Sequence, residues 1–212
     1  MTLDLPDLPR WVEAHGIAAS GEGWREDGAI GHDGAKLIVI YGDGDASAIA
    51  RAHPDHALLF PLELAPAVEH AARVVERGIL HTLPDAASLP DFEGAVPLVD
   101  IPPDLPRELA DELARARGTV WTVWVDNAPV SFAHAVWHSA RWFDIAVDTL
   151  PRARQLGLAT IVTAALIRDE RARGREPVWG ADEGNAASLR LAKRLGFEPV
   201  DEIGVAAPWH DR

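Results

Sequence analysis

The stretch Arg154-Gln155-Leu156-Gly157-Leu158-Ala159-Thr160 has the residue types of an anion-binding turn. It follows a strand-like run ending at Thr149 and opens a helix-like one. The first turn of a helix leaves backbone N–H groups unpaired, and its dipole end is positive. A pyrophosphate can take those hydrogen bonds directly. Gly157 lets the backbone approach without a Cβ in the way, and small Ala159 does nearly the same. Arg152 and Arg154 add formal charge. Read alone, these residues also describe an ordinary strand-to-helix loop with one glycine.

Other groups with chemical potential are weaker signals. Asp144 and Asp148 lie four apart in a strand-like run, so they share a face unless a bulge intervenes. His53 and His56, or His134 and His138, could be metal ligands, but neither pair has a clear third ligand. Surface or hydrogen-bonded histidines are the expectation, with no metal. Gly42-Asp43-Gly44-Asp45 superficially resembles a nucleotide turn. Two acids facing the phosphate and the missing remainder of the dinucleotide fingerprint favour a plain tight turn, leaving nucleotide binding as a remote third reading.

The elements that must position these residues follow from periodicity and punctuation. Lys36 to Tyr41 reads as a buried strand, Ala46 to Ala52 as a short helix and Ala57 to Phe60 as a strand. Leu62 to Arg77 carries Leu64, Val68, Ala71, Ala72 and Val75 at helical spacing, with Gly78 as its stop. Proline and acidic residues thicken between Pro84 and Pro106, which sets a boundary near Gly94. Pro106 to Arg117 reads as a helix capped by Asp104 and ended by Gly118. Thr119 to Val125 and Pro129 to His138 form a hairpin about Asp126-Asn127-Ala128. Arg141 to Thr149 is a third strand, followed by a helix over Gly157 to Arg173 and a strand over Pro177 to Ala181. A helix over Asn185 to Leu195 and a strand over Phe197 to Val205 complete a β-β-β-α-β-α-β order.

Composition narrows the class. A chain of 212 residues with 48% hydrophobic and 25% charged content can bury a sizeable core. The net charge of −13 argues against nucleic acid as a partner and fits an amine or cationic substrate, although acidity also serves solubility. The absence of cysteine excludes disulfides, a thiolate nucleophile and cysteine-bound metal. The acidic, proline-containing start is unlike a signal peptide, and no apolar run is long enough to span a bilayer. A soluble, cytoplasmic protein is expected. Most of the eight tryptophans, among them Trp121, Trp124, Trp137 and Trp142, are expected in the core, with one or two lining a pocket.

A second motif gives the turn its specificity. Val178-Trp179-Gly180-Ala181-Asp182-Glu183-Gly184-Asn185 leads into a helix that finishes in Leu195-Gly196-Phe197. In this order, Arg154-x-x-Gly157-x-Ala159, an Asn185-headed helix and Leu-Gly-Phe resemble the acyl-CoA-binding core of the GNAT superfamily. The resemblance is strong over 130–205 and weaker over 96–128, and the first ninety or so residues carry no family motif. Pro177 to Ala181 is also similar to a bacterial branch of that superfamily. The implied fold is α/β, a GNAT-like mixed sheet flanked by helices over 96–212, preceded by a smaller α/β subdomain over 1–95. From its position, that subdomain is expected to pack against the acceptor side and shape the pocket.

The resemblance implies direct transfer of an acetyl group from acetyl-CoA, as co-substrate, to a primary amine of a small molecule. The implied CoA residues are Val147, Asp148, Thr149, Arg154, Gln155, Leu156, Gly157, Leu158, Ala159, Thr160, Asn185 and Ser188. The strand ending at Thr149 should part from the strand at Pro177 to Ala181 to admit the pantetheine arm. Backbone near Val147 to Thr149 should then meet the oxyanion that develops from the thioester carbonyl. A protonated amine needs a base, and Asp144, Asp148, Glu183 and His134 are the candidates. Many relatives place a tyrosine seven residues after the asparagine, as the acid for the thiolate. Here that position is Ala192, so Ser188 or water takes the role, or the thiolate leaves unassisted. The missing tyrosine keeps open a non-catalytic acyl-CoA-binding module as the alternative. A homodimer is left open, and no membrane partner is expected.

Overall fold

The computed structural model describes residues 3–71, 73–85, 89 and 93–208. Among the described residues eleven strands form one sheet, in the order β1-β2-β3-β4-β11-β5-β10-β9-β8-β7-β6. In the first half these are β1 (Trp24–Glu26), β2 (Ala29–His32), β3 (Leu37–Ile40), β4 (Ala57–Pro61) and β5 (Glu76–Thr82). The second half supplies β6 (Ala95–Pro97), β7 (Trp121–Val125), β8 (Ala128–His138), β9 (Trp142–Thr149), β10 (Glu176–Asp182) and β11 (Glu198–Ala206). The helices are α1 (Val12–Ser20), α2 (Ala46–Ala52), α3 (Ala65–His70), α4 (Arg107–Ala114), α5 (Leu158–Ala172) and α6 (Ala186–Leu195).

Side-chain alternation assigns the helices to the two faces. On one face, α5 and α6 cover Ala133, Ala135, Phe143, Trp179 and Ala181, while α2 and α3 cover Ile38, Ile40, Leu58 and Phe60. On the other, α4 covers Val130 and Phe132, and α1 lies across β2, β8 and β9. Gly16 allows that crossing. A Cβ there would stand 2.8 Å from Trp137 Cε3 and 2.9 Å from its Cβ. The segment before α1 ties it to β9: Trp142 Nε1–H donates to Asp7 O, and Arg141 N–H to the Asp7 carboxylate, each at 3.0 Å.

Most expected elements of the second half are present. The β7–β8 hairpin turns through Asp126 and Asn127, both at positive φ, as a two-residue turn of that hand requires. Asp104 does not cap α4, whose first turn has Pro106 at the cap position and no side-chain hydrogen bond. Asp45 caps α2, accepting from Ala48 N–H, so the Gly42–Asp45 segment is a turn into that helix.

The helix expected over Leu62 to Arg77 is the main correction. The helix ends at His70, and Gly78 lies inside β5, opposite Ile203 and Asp182. Ala72, counted in that expectation, lies outside the described residues. A Cβ at Gly78 would meet Val205 Cγ2 at 3.0 Å and Ile203 Cγ1 at 3.2 Å, so the glycine serves strand packing rather than a helix stop. β5 runs antiparallel between β11 and β10, so the sheet continues across the boundary expected near Gly94.

A buried ion cluster closes the far end of α5. Glu170 is fully buried; Arg175 Nε–H donates to it at 2.6 Å and Arg173 at 2.9 Å, and His138 Nε2 lies 3.5 Å away. Burial would raise the Glu170 carboxyl, but His138 and Arg175 outweigh it and hold it at about 2. Stability from this group is therefore complete above the ordinary glutamate value and is lost as pH falls from there towards about 2. Glu170→Gln is expected to destabilise the fold by about 1–3 kcal/mol at neutral pH in denaturant titration, and by less at pH 3.

Candidate active site

β9 and β10 are parallel neighbours for only three residues. Trp142, Phe143 and Asp144 pair with Glu176, Pro177 and Val178, and beyond Asp144 the strands part. The opposite edge of β9 stays paired with β8 without interruption from Ile145 to Thr149. Leu150 N–H donates to Val130 O at 2.8 Å, so by strand alternation the backbone N–H groups of Ile145, Val147 and Thr149 face the side that β10 has vacated.

The parting opens a cleft of about 990 Å³ between β9, β10, the start of α5 and α6. Every expected CoA residue lines it except Leu156. Gln155 and Gly157 both adopt positive φ, at 65° and 78°, and this tight double bend turns Leu156 out to solvent, 63% exposed. Among the described residues no side chain caps α5, so its first N–H groups face the cleft without a protein acceptor of that kind. Asn185 caps α6 by accepting from Ser188 N–H at 3.1 Å. Ser188 Oγ accepts Trp179 Nε1–H at 2.9 Å, which leaves its own hydroxyl proton available. Ala192, one turn further on, is fully buried in the core.

Three basic wall residues escaped the sequence reading. Arg190, Lys193 and Arg194 of α6 line the cleft opposite Arg154, making a basic pocket in a chain of net charge −13. Their spacing after Asn185 was the available signal, because the face bearing Ala187 and Ser188 returns at Leu191 and Arg194.

The expected proton acceptors separate. Glu183 lies outside the cleft, in a neighbouring open depression of about 720 Å³ with Glu76, Arg77 and Asp182. His134 and His138 do not share a face. A bulge between Ala135 and His138 sends His138 towards Glu170, while His134 lies under α4, with Nε2 3.6 Å from Glu112. Among the described residues no metal-binding cluster forms.

Asp144 and Asp148 do share a face, the one that carries α1 and α4. Asp148 is raised by burial, opposed by Arg154, and Glu112 is raised by burial and by Asp148. Asp144, at the branch point, is raised to about 7 by burial. Glu13 of α1, from the first half of the chain, is held well above the usual range by burial and by the charge of Asp144. His134, 2% exposed, is lowered to about 4 by burial and is neutral at physiological pH.

With this geometry in view, the comparisons are consistent. Residues 112–205 match the family model of the GNAT acetyltransferases. A GNAT-family protein from Novosphingobium aromaticivorans is 19% identical, with a TM-score of 0.70 over 94% of this chain and 96% of that one. A GCN5-related N-acetyltransferase-like protein from Streptococcus suis is 18% identical, with a TM-score of 0.65 over 96% and 94%. A GCN5-related N-acetyltransferase from Kribbella flavida is 17% identical, with a TM-score of 0.63 over 94% of each chain. No curated protein matches. The fold is thus a mixed sheet flanked by helices of the GNAT type, and the likeness takes in the first half as well. The match over residues 112–205 and these likenesses support a GNAT superfamily member and, with it, an acyl-transfer function. Among the described residues no helix is long and apolar enough to cross a membrane.

The raised carboxyls make a stability prediction. A carboxyl whose folded value lies above its unfolded one favours folding most when protonated, and that advantage is lost as pH rises through the folded value. Asp144→Asn or Glu13→Gln should therefore raise Tm at pH 8 by roughly 2–4 °C, the shift that ~1 kcal/mol brings in a chain of this size, and by less at pH 5. Differential scanning fluorimetry at the two pH values checks it.

Proposed function

We propose that the protein transfers an acetyl group from acetyl-CoA directly to a primary amine of a small molecule. The observation that carries this reading is the cleft at the parted strands, which brings the helix-opening turn, the basic residues of α6 and Asp148 to one place. The turn over Gln155 to Thr160 offers helix N-terminal N–H groups to the pyrophosphate, and Arg154, Arg190 and Arg194 supply positive charge around it. The vacated edge of β9 offers backbone groups to the pantetheine arm as a neighbouring strand would. Acetyl-CoA supplies the thioester, and the chain's own residues do the rest.

The N–H of Val147 faces the gap and suits the oxyanion that develops on the thioester carbonyl. Asp144 takes a proton from the acceptor's ammonium. A carboxyl titrating at about 7 is matched to that task near neutral pH. Asp148, nearer the mouth, orients the amine. His134 is buried and neutral, so it is the weaker base. With Ala192 in the usual tyrosine position, the free proton of Ser188, whose oxygen is anchored by Trp179, hydrogen-bonds the departing thiolate.

At about a hundred times its Kd, acetyl-CoA should stabilise the fold by about 2.7 kcal/mol, readable as a rise in Tm. Absence of any shift at millimolar acetyl-CoA sinks the proposal. In a CoA-release assay on an amine panel, kcat/KM should climb with pH through about 7. Asp144→Asn should lower it by about 10²-fold or more and remove that limb. If acetyl-CoA stabilises the protein and no amine releases CoA, the chain is instead a module that binds acyl-CoA without turning it over, the reading that Ala192 favours.

A further inference from the structure

The cleft explains one face of β9; the other carries carboxylates contributed by both halves of the chain. Glu13 sits on the packed face of α1, between fully buried Val12 and Ile17 and one turn from Gly16, which meets Trp137. Val12 packs on Trp142, and the next sheet residue on that face is Asp144. Four residues along β9 comes Asp148, beside Glu112 of α4. Between the two carboxylates, on the paired strand, stands His134 opposite Ala146. Its ring is 98% buried, its Nε2 faces Glu112, and among the described residues its Nδ1 has no hydrogen-bond partner.

Partners for these charges are scarce. Arg115 lies near Glu112 and Arg154 near Asp148, and Arg154 also belongs to the anion turn. Among the described residues no basic side chain pairs with Glu13 or Asp144: Arg10 is committed to Asp201, and Arg141 and Arg117 lie over Trp142 and Trp137. Two partly buried carboxylates that repel one another, with an unpartnered buried imidazole nitrogen on the same face, are costly in isolation. A bound cation relieves both costs.

We infer that this row binds a linear diamine, with one ammonium between Glu13 and Asp144 and the other between Asp148 and Glu112. The inference rests on the transfer reaction proposed above and names its acceptor class. Four strand residues span about 13 Å, and an ammonium–carboxylate hydrogen bond at each end leaves about 7–8 Å between the nitrogens, the reach of four to six methylene groups. Asp144 deprotonates the amine at its end. The ammonium at the other end stays charged and fixes the register, and the neutral imidazole of His134 meets the acceptor between them. Glu13 is then a specificity residue supplied by the first half of the chain.

The test uses the full chain with diaminopentane, pentylamine and aminovalerate. With saturating acetyl-CoA, kcat/KM for diaminopentane should exceed that for pentylamine at least tenfold, and aminovalerate should be the poorest. Glu13→Gln and Glu112→Gln should each shrink the diamine-to-monoamine ratio several-fold, mainly through KM. Binding is measured separately, without acetyl-CoA, as a Tm shift by diaminopentane that each variant weakens. Equal use of the monoamine and diamine, or a ratio unmoved in both variants, overturns the inference while leaving acetyl transfer intact. Failure of acetyl-CoA to bind would strike the earlier reading and the acceptor role with it, whereas diamine binding by the row is still tested, because the diamine shift needs no acetyl-CoA. No diamine shift in the wild type overturns the inference whatever the catalytic result.

Discussion

The structure depends on a failure of pairing. Parallel strands in the middle of a sheet normally satisfy each other along their whole length, because buried unpaired N–H and C=O groups are expensive. Here β9 and β10 pair through Asp144 and Val178 and then separate, while β9 stays paired with β8 from Ile145 to Thr149. The unpaired edge can accept a guest with amide-like groups, as a neighbouring strand would. The same parting lets α5 begin with its N-terminus aimed across the gap, and lets α6 place basic residues on the opposite wall. The groups proposed to hold an anion and an extended chain therefore lie at one place.

The surrounding sheet keeps that separation open. β10 is held on its other edge by β5, which is clamped by β11, so β10 cannot relax back towards β9 without breaking a ladder from Gly78 to Thr82. On the face away from the cleft, α1 bridges β2, β8 and β9, pinned by Gly16 against Trp137 and by Asp7 against the start of β9. The first half is thus a structural part of the site: it supplies a strand that fixes one wall and a helix that sets a carboxylate beside the other.

Much of the second half was legible because its signals are local. Asp126-Asn127 announces a hairpin, Asn185 and Gly196 bracket a helix, and Gly157 stands directly before a helix start. What was not legible depends on tertiary partners. Gly78 read as a helix stop because Leu64, Val68, Ala71 and Val75 keep helical spacing up to it. Only the side chains of Ile203 and Val205 reveal why a glycine is needed in a strand. The Asp27-Gly28 turn of the β1–β2 hairpin is a local signal that was overlooked. The bulge after Ala135 reverses the side of His138 with no mark in composition. Glu13 lies in a short helix interrupted by glycine, 131 positions before Asp144, and nothing near it in the chain hints at that partner. Arg190 and Arg194 could have been found by following the cap at Asn185 down one helical face.

The central claim is that the vacated edge of β9 receives acyl-CoA as a strand would. Amide hydrogen exchange with and without saturating acetyl-CoA tests it most directly. The account predicts new protection at the amides of Val147 and Thr149 and over the turn from Leu156 to Thr160, with little change in the β1–β4 region. Protection confined to other surfaces, or exchange at Val147 and Thr149 unaltered while acetyl-CoA is bound, would contradict it.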